Sequence, residues 1–354
     1  MSNKPLSGLK VLELASVLAG PAVGTFLAEL GAKVIKIENP NTGGDVTRSW
    51  KLSMEDSDSD SSAYFASVNY GKEHLFLDLT MPDDLARVQK LALDSDIIVA
   101  NFRKGQAERF GLDHRYLSSI SQKIIYGNIS GFGPDDARPA FDVVLQAETG
   151  YMFMNGQPEN DPTKMPVALI DVLAAHQMKE GILLALLDRE RTGKGSLIEV
   201  SLFDAAVSAL SNQACNWLMN GHIPQRIGSL HPNIAPYGEI LNSKDGKQIV
   251  LAVGSNAQFR GLCEALGLEQ LSDDQRFVSN QDRLRNRTEL QTLLQQKAKH
   301  EDCDTLMESF LKRGIPAGVI RDLKEVFENG SAMDLVRIDG RNKRVSQIAF
   351  KTRK

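Results

Sequence analysis

The chain has few cysteines and no long apolar run, and each of these absences excludes a class of protein. Its three cysteines, at 215, 263 and 303, lie far apart without C-x-x-C spacing, so we predict neither a disulfide framework nor a cysteine zinc site. No stretch of about 18 apolar residues occurs, and the N-terminal residues lack the apolar core of a signal peptide. We therefore expect a cytoplasmic protein without a membrane partner.

An excess of positive charge is also missing. The formal net charge is -4, so no overall positive field attracts the chain to nucleic acid. The six histidines show no metal-binding spacing, and we predict no metal site. Aspartates at 56, 58 and 60 imitate the start of a calcium loop, but Ser61 and Ser67 stand where that loop needs glycine and glutamate. A solvated loop is the better interpretation.

The length and the order of the predicted elements indicate two domains with an α/β fold. At 354 residues the chain is longer than one hydrophobic core usually extends. Alternating strands and helices, such as the helix Pro82–Leu93, predict a Rossmann-like large domain with a mainly parallel sheet. A change in composition near Arg226 and a glycine-containing hinge at 314–318 predict the boundaries. Residues 1–225 would form the large domain and 226–318 a smaller α/β domain, and 319–354 would return to the large domain with a last strand in VSQIAFKTRK.

The turn after the first predicted strand invites comparison with a dinucleotide-binding loop. Residues 20 and 21 are predicted as a turn before a helix at Ala22–Leu30, and Glu38 ends the second strand where a ribose-binding acid would lie. Gly20 and Gly24 are four apart and do not match G-x-G-x-x-G, so NAD binding is not predicted. Ser130 in GNISG is one place too late for a G-x-S-x-G nucleophile, so serine hydrolysis is not predicted either.

A long apolar helix is predicted at Val172–Arg191, and Asp171 stands immediately before it, at the N-cap position. An aspartate at that position most often only accepts hydrogen bonds from backbone N–H groups. The position also has a chemical use, since the positive end of the helix dipole favours the ionised carboxylate that attacks a thioester. On the residues alone, both interpretations stay open.

A group of basic residues follows a predicted strand that ends at Ala100. Arg103, Lys104 and Arg109 would lie at the carboxyl edge of the sheet, where open α/β sheets bind ligands. Such a group suits the phosphates and adenine of a nucleotide-containing ligand. Lysine and arginine are common on protein surfaces, so a solvated basic loop is the alternative.

Seven segments, in their order along the chain, resemble the class III CoA-transferase family, which includes formyl-CoA transferase, carnitine CoA-transferase and the α-methylacyl-CoA racemases. The resemblance extends from about Leu9 to Phe350. The segments are LKVLELASVLAGPAVGTFLAELGAKVIKIENP, ANFRKGQAERFGLD, GNISGFGP, ARPAFDVVLQAETG, PVALIDVLAAHQ, RTGKGSLIEVSLFDAA and GIPAGVI. The resemblance implies that both ends of the chain build the Rossmann-like domain, that the smaller domain is inserted late, and that two subunits interlock as a homodimer.

The resemblance also implies an activity and a site. It implies transfer of coenzyme A between an acyl-CoA and a small carboxylic acid, with Asp171 as the catalytic residue that forms an anhydride and then an aspartyl-CoA thioester. The CoA thioester would be a substrate, and no permanently bound cofactor is implied. The other implied site residues contact CoA or line its pocket: Asn101, Phe102, Arg109, Leu77 and Phe132.

Departures from the family pattern narrow this activity. Racemase members carry a histidine where this chain has Phe141, because proton exchange at Cα needs a second acid–base group, and phenylalanine cannot move protons. Asn39 and Leu18 replace an arginine and a glutamine of formyl-CoA transferase, whose covering run of glycines has no counterpart here. Family members usually continue past the position of Lys354. We expect a CoA-transferase with another substrate pair; the alternatives are an acyl-CoA isomerase and a non-catalytic CoA-binding relative.

Overall fold

The structure is a computed structural model that describes residues 4–328, 330–340 and 342–352. The chain divides into two units, and each is described by itself. The first unit comprises the residues up to Met152, Lys164–Pro224 and the residues from Met333 on; the second comprises Phe153–Thr163 and Gln225–Ala332. The second unit therefore extends beyond the domain boundary predicted at residue 318.

The strands and helices of the described residues follow one another as the sequence predicts for an α/β protein. The strands are β1 (Lys10–Leu14), β2 (Lys33–Glu38), β3 (Lys72–Phe76), β4 (Ile97–Ala100), β5 (Ile125–Ser130), β6 (Leu197–Ser201), β7 (Tyr237–Asn242), β8 (Gln248–Ala252), β9 (Ala317–Val319), β10 (Val336–Asp339) and β11 (Asn342–Val345). The α-helices are α1 (Ala19–Glu29), α2 (Ala63–Ser67), α3 (Pro82–Leu93), α4 (Gln106–Arg109), α5 (His114–Ile120), α6 (Asp142–Glu148), α7 (Tyr151–Met154), α8 (Leu169–Thr192), α9 (Leu202–Ser208), α10 (Ser211–Asn220), α11 (Asn256–Ala265), α12 (Asn280–Arg285), α13 (Arg287–Ala298), α14 (Cys303–Lys312), α15 (Leu323–Glu328) and α16 (Gly330–Met333). Among the helices described, none is long and apolar enough to cross a membrane.

Six parallel strands form the central sheet of the first unit, in the order β3-β2-β1-β4-β5-β6. This order confirms the predicted Rossmann-like α/β fold of this part of the chain. The order changes direction between β1 and β4, which lie side by side at the centre. In doubly wound sheets the carboxyl ends of two such strands enclose the crevice that binds ligands.

Apolar side chains bury both faces of this sheet. On one face Phe26 of α1 and Met178 of α8 belong to one core cluster, and both are almost fully buried. On the other face Val88 of α3 and Leu117 of α5 belong to a second cluster and are fully buried. Burial of such a side chain stabilises the fold by about 1.5–3 kcal/mol. The sheet is therefore a rigid base for the loops at its carboxyl edge.

The second unit is built on a small antiparallel sheet of β7, β8 and β9, with a core that includes Phe259, Phe277 and Phe310. The segment 314–318, predicted as a hinge, leads into this sheet at its last two residues. Ala317 and Gly318 pair with Leu251 and Val250 of β8. The backbone hydrogen bonds that β8 offers on this edge are satisfied by β9.

Two other local predictions differ from the structure. Residues 20 and 21 are not a turn but belong to the first turn of α1, where a proline fits because its missing N–H is not needed for helix hydrogen bonds. The last predicted strand was VSQIAFKTRK, but β11 already ends at its first residue, Val345, and residues 346–352 form no strand. The final two residues of that prediction lie outside the described ranges.

Candidate active site

Two cavities open at the carboxyl edge of the parallel sheet, and both are lined by residues of the first unit. The first, of ≈ 580 Å³, is lined by the loop after β1, by residues that follow β4 and β5, and by Asp171; we call it the Asp171 cavity. The second, of ≈ 1020 Å³, extends over the ends of β2 and β3; we call it the large cavity. Four residues line both cavities: Ser16, Asn101, Phe102 and Arg103. The cavities thus adjoin at the switch point between β1 and β4.

Asp171 lies inside the first turn of α8 and not at its N-cap as predicted. The helix begins at Leu169, and Ala168 at the N-cap position offers no side-chain hydrogen bond. The carboxylate of Asp142, from α6, takes the capping role: its Oδ1 accepts hydrogen bonds from the backbone N–H of Ile170 at 2.7 Å and of Asp171 at 3.4 Å. The Asp171 carboxylate is therefore not needed as a cap.

A second side chain steadies this cap. The amide of Gln146 donates to Asp142 Oδ2 at 2.5 Å, and its oxygen accepts from the backbone N–H of Met165 at 2.8 Å. Gln146 is fully buried. The chain that leads into α8 is thus tied to α6 at two places, which fixes the position of the Asp171 backbone.

The Asp171 carboxyl group is buried, with 8% of the residue exposed, and among the described residues nothing hydrogen-bonds to it. Burial raises its pKa from 3.8 to about 7, and the nearby charge of Asp142 adds to the increase. Desolvation and the like charge of Asp142 thus act against the helix end, which was expected to favour the ionised form. A carboxylate with such a pKa is more basic, and so more nucleophilic, than an exposed one.

The loop between β1 and α1 forms one wall of the Asp171 cavity and is held by side chains from elsewhere. Asn101 accepts a hydrogen bond from Ser16 N at 3.1 Å and donates one to Ser16 O at 3.0 Å. Next to it, Val17 has φ 74, a left-handed conformation that costs a β-branched residue about 1–3 kcal/mol. The amide of Asn101, predicted to contact CoA, thus shapes the loop.

A group of four buried ionic side chains lies beneath this loop, and we call it the buried charge network: Glu13, Lys36, Asp45 and Lys72. Lys36 Nζ lies 2.9 Å from Glu13 Oε1 and 3.0 Å from Asp45 Oδ2, and Lys72 Nζ lies 2.7 Å from Glu13 Oε2. These side chains are at most 1% exposed. Burial lowers the pKa of Lys72 to about 8; burial would also raise the pKa of Glu13, but the two lysines hold it below its usual range.

Sequence reasoning missed this network, although one signal was present. Glu13 and Lys36 interrupt otherwise apolar strands, VLEL and VIKIE, and charged residues in buried strands need partners. The two residues are also neighbours in the register of β1 and β2. A charge in the middle of each of two adjacent apolar strands was the available clue.

The remaining predicted site residues fall into two groups. Leu77 is buried at the wall of the large cavity, and Phe102 lines both cavities. Arg109 and Phe132 line neither. The exposed Arg109 lies with its guanidinium 5.6 Å from the Phe110 ring centroid, and Phe132 packs beneath the guanidinium of Arg138 at 3.6 Å. A contact of Arg109 or Phe132 with CoA stays a prediction.

Two further features of the described residues bear on the chemistry at Asp171. Phe141, the position at which racemases carry histidine, lines the Asp171 cavity with about half of its surface exposed. Over the described ranges, no group of three or more His, Cys, Asp or Glu side chains is arranged to hold a metal ion. Asp171 is a buried carboxylate of this cavity.

The chain is similar in sequence to known CoA-transferases. Residues 6–349 match the family model described as CoA-transferase family III. A succinate–glutarate CoA-transferase of Agrobacterium fabrum is 36% identical over 348 residues, which cover 95% of this chain and 86% of the relative. An acetyl-CoA:oxalate CoA-transferase of Acetobacter aceti is 36% identical over 325 residues, 91% of this chain and 82% of the relative.

Solved structures show the same fold over nearly the whole chain. A CAIB/BAIF family protein from Brucella suis superimposes with a TM-score of 0.85 at 37% identity, covering 99% of this chain and 93% of that one. The Rv3272 protein of Mycobacterium tuberculosis gives a TM-score of 0.87 at 28% identity with the same coverage. The fold is therefore shared over nearly the whole chain with proteins that are 28–37% identical to it.

Proposed function

Because this chain belongs to CoA-transferase family III, we propose that its transfer of coenzyme A from an acyl-CoA to a carboxylic acid proceeds through covalent intermediates on Asp171. One observation carries the assignment of the residue. Asp171 has a buried carboxylate with a pKa of about 7, to which none of the described side chains or backbone groups hydrogen-bonds, and it lies in a cavity at the switch point of the sheet. A carboxylate that only stabilised the fold would be paired or capping.

The chemistry needs only this carboxylate and the two substrates. A carboxylate oxygen of Asp171 attacks the thioester carbon of the donor, and the C–S bond breaks to release CoA thiolate and leave a mixed anhydride. The thiolate then attacks the Asp171 carbonyl of the anhydride, which releases the donor acid and leaves an aspartyl-CoA thioester. The acceptor carboxylate repeats both exchanges in reverse order. No water or net proton is consumed.

The cavities supply the positioning that a weak nucleophile requires. We propose that the nucleotide end of CoA occupies the large cavity, where Leu77 and Phe102 offer apolar surface, and that the thioester reaches the Asp171 cavity past their shared wall. Binding energy from the remote nucleotide then holds carbonyl carbon and carboxylate at attack distance. Burial of Asp171 keeps water away from the anhydride, which water would hydrolyse.

The names of the relatives suggest the substrate class. Four of them are described as transferases that act with succinate, glutarate, oxalate or mesaconate. We propose that this chain likewise uses short dicarboxylic acids and their CoA thioesters. Basic side chains at the wall of the Asp171 cavity, Arg103 and Arg138, can attract the second carboxylate of such an acid.

We also propose a homodimer. On the first unit, large apolar side chains of α8 and α10 are exposed: Leu184 by 67%, Leu187 by 57%, Trp217 by 52%, Leu218 by 76% and Met219 by 79%. Exposed apolar residues in such number are typical of surfaces that bind another protein. Mass photometry at nanomolar concentration measures the mass directly, and a monomer would contradict the proposal.

Intact-protein mass spectrometry tests the covalent mechanism. The protein is mixed with succinyl-, glutaryl-, acetyl- and oxalyl-CoA, quenched, and trapped with hydroxylamine or borohydride; Asp171→Ala is treated in parallel. An acyl or CoA adduct that maps to Asp171 and is absent in the variant supports the mechanism and identifies a donor. An active Asp171→Ala variant would refute it. Deuterium entry at Cα without adduct would instead identify an isomerase, and CoA binding without either reaction a non-catalytic protein.

A further inference from the structure

In the loop that lines the Asp171 cavity, backbone N–H and carbonyl groups of residues 15–17 form hydrogen bonds with side chains. Lys36 Nζ donates to the carbonyl of Ala15 at 2.6 Å. Asn101 binds both the N–H and the carbonyl of Ser16. Asp45 accepts the N–H of Val17 at 3.2 Å. Three consecutive residues of a catalytic-site loop thus depend on side chains that lie far away in the sequence.

Val17 needs these hydrogen bonds because its backbone conformation is unfavourable. At φ 74 its branched Cβ crowds the backbone, and an unrestrained valine would relax to an extended or helical φ. A relaxed Val17 would redirect the chain at Val17 and Leu18, both of which line the Asp171 cavity. The shape of this cavity wall therefore depends on the side chains that hold the loop.

Asp45 joins the cavity loop to strand β2 and to the short 3-10 helix Val46–Ser49, which it caps. Besides Val17 N and Lys36, its carboxylate accepts from Thr47 N at 3.0 Å and from Thr47 Oγ1 at 2.8 Å. Lys36 forms ion pairs with both Asp45 and Glu13, and so connects Asp45 to strand β1. Charge-assisted bonds in this dry interior are roughly twice as strong as neutral ones. A network that only stabilised the sheet would not end on the cavity loop.

We propose that Lys36 and Asp45 are positioning residues of the transfer reaction, which hold Ala15 and Val17 so that Val17 keeps its left-handed conformation at the wall of the Asp171 cavity. This inference rests on the proposed function of Asp171. Both residues line the large cavity, but their side chains are at most 1% exposed, so neither is assigned a contact with substrate and both act through the loop. Their loss should impair the chemical step more than the binding of acyl-CoA.

The test removes both charges together. In Lys36→Met/Asp45→Ala the pair Glu13–Lys72 stays intact, so no buried charge is left unpaired. The matched control is Glu29→Gln/Arg344→Met, which removes another buried ion pair of the same unit, at the far end of α1. For each variant one measures kcat, KM for acyl-CoA, thermal stability, and the rate at which the adduct forms on Asp171. Val17→Gly is made alone and in the double variant, because glycine adopts positive φ without cost.

We expect kcat of Lys36→Met/Asp45→Ala to fall on the order of 10- to 100-fold, because a displacement of about 1 Å can cost about 100-fold. KM should change by less than about 3-fold, and Val17→Gly should restore part of kcat in this variant only. A kcat like that of the control pair, or a loss that Val17→Gly does not reduce, would overturn the inference.

Two further measurements keep the test decisive. If the double variant does not fold, Thr47→Val serves instead, since it removes one hydrogen bond to Asp45 and leaves every charge in place; an unchanged kcat there overturns the inference and a reduced one supports it. Adduct formation separates the two proposals. If the wild-type protein forms no adduct, the proposed function of Asp171 is refuted. If Lys36→Met/Asp45→Ala forms the adduct at the wild-type rate, the positioning role is refuted and the function of Asp171 is not.

Discussion

Replacing Asp171 by asparagine should stabilise the protein at neutral and alkaline pH while it abolishes transfer. Asparagine has nearly the size of a protonated carboxyl group but carries no charge at any pH. In the folded protein, burial first and the charge of Asp142 second raise the pKa of Asp171 from 3.8 to about 7. Ionising this group therefore costs free energy in the folded state that the unfolded chain does not incur.

The magnitude follows from the size of the pKa shift. A shift of about 3 units, at about 1.4 kcal/mol per unit, sets an upper bound of about 4 kcal/mol. The folded pKa is the higher one, so the full stability of wild type is present below about pH 4 and is lost as the pH rises from about 4 to about 7. Above pH 7 the loss is complete and constant. The advantage of Asp171→Asn should grow over the same window.

Differential scanning calorimetry from pH 4.5 to pH 8.5 measures this advantage, if the midpoint of wild type is subtracted from that of Asp171→Asn at each pH. With about 2–4 °C per kcal/mol for a folding unit of 150–250 residues, the difference should increase by several degrees and then level off near pH 7. Asp188→Asn, an exposed aspartate of the same helix, is the control and should show no such trend. A difference that does not vary with pH would refute the assignment of Asp171 as a desolvated carboxyl group.

Three further predictions concern the surroundings of Asp171. Asp142→Asn should move the acid limb of the pH profile of kcat/KM to lower pH, because it removes the like charge that helps to raise the pKa of Asp171; a profile identical to wild type would contradict this. Gly20→Ala should lower the unfolding midpoint and kcat, since the new Cβ would lie 2.3 Å from Ala15 Cβ, and unaltered values of both would argue against so close an approach. Arg109→Ala should weaken CoA binding in calorimetric titration, and an unchanged Kd would remove Arg109 from the site.

The fold was predictable because its signals are local. The helix at Pro82–Leu93 has the predicted limits and the second strand ends at Glu38 as predicted, since the periodicity of apolar residues within a segment indicates its secondary structure. The parallel order of the sheet followed from the alternation of strands and helices. The strand at Ala317–Val319 was missed, because a glycine and a proline nearby are also typical of a hinge.

Of the candidate site, the sequence could predict the identity of a single residue but not the contacts between residues far apart in the chain. Asp171 was found by resemblance, but its place in the helix was not, because the cap is Asp142, 29 residues earlier in the chain. No pattern of neighbouring residues in the sequence can indicate an N-cap whose side chain comes from another helix. The raised pKa has the same origin, since burial and a charge on α6 exist only in the folded chain. The buried charge network likewise depends on which strands become neighbours.

The buried charge network also constrains how this sequence can change. Two lysines and two carboxylates balance each other in a dry interior, and replacing any one of them alone leaves a charge without its partner, at a cost of about 3–5 kcal/mol. That loss is a large fraction of the stability of an ordinary domain. We therefore expect residues 13, 36, 45 and 72 to be conserved together in related sequences, or to be replaced in oppositely charged pairs. This coupling holds although 59 positions separate the first from the last.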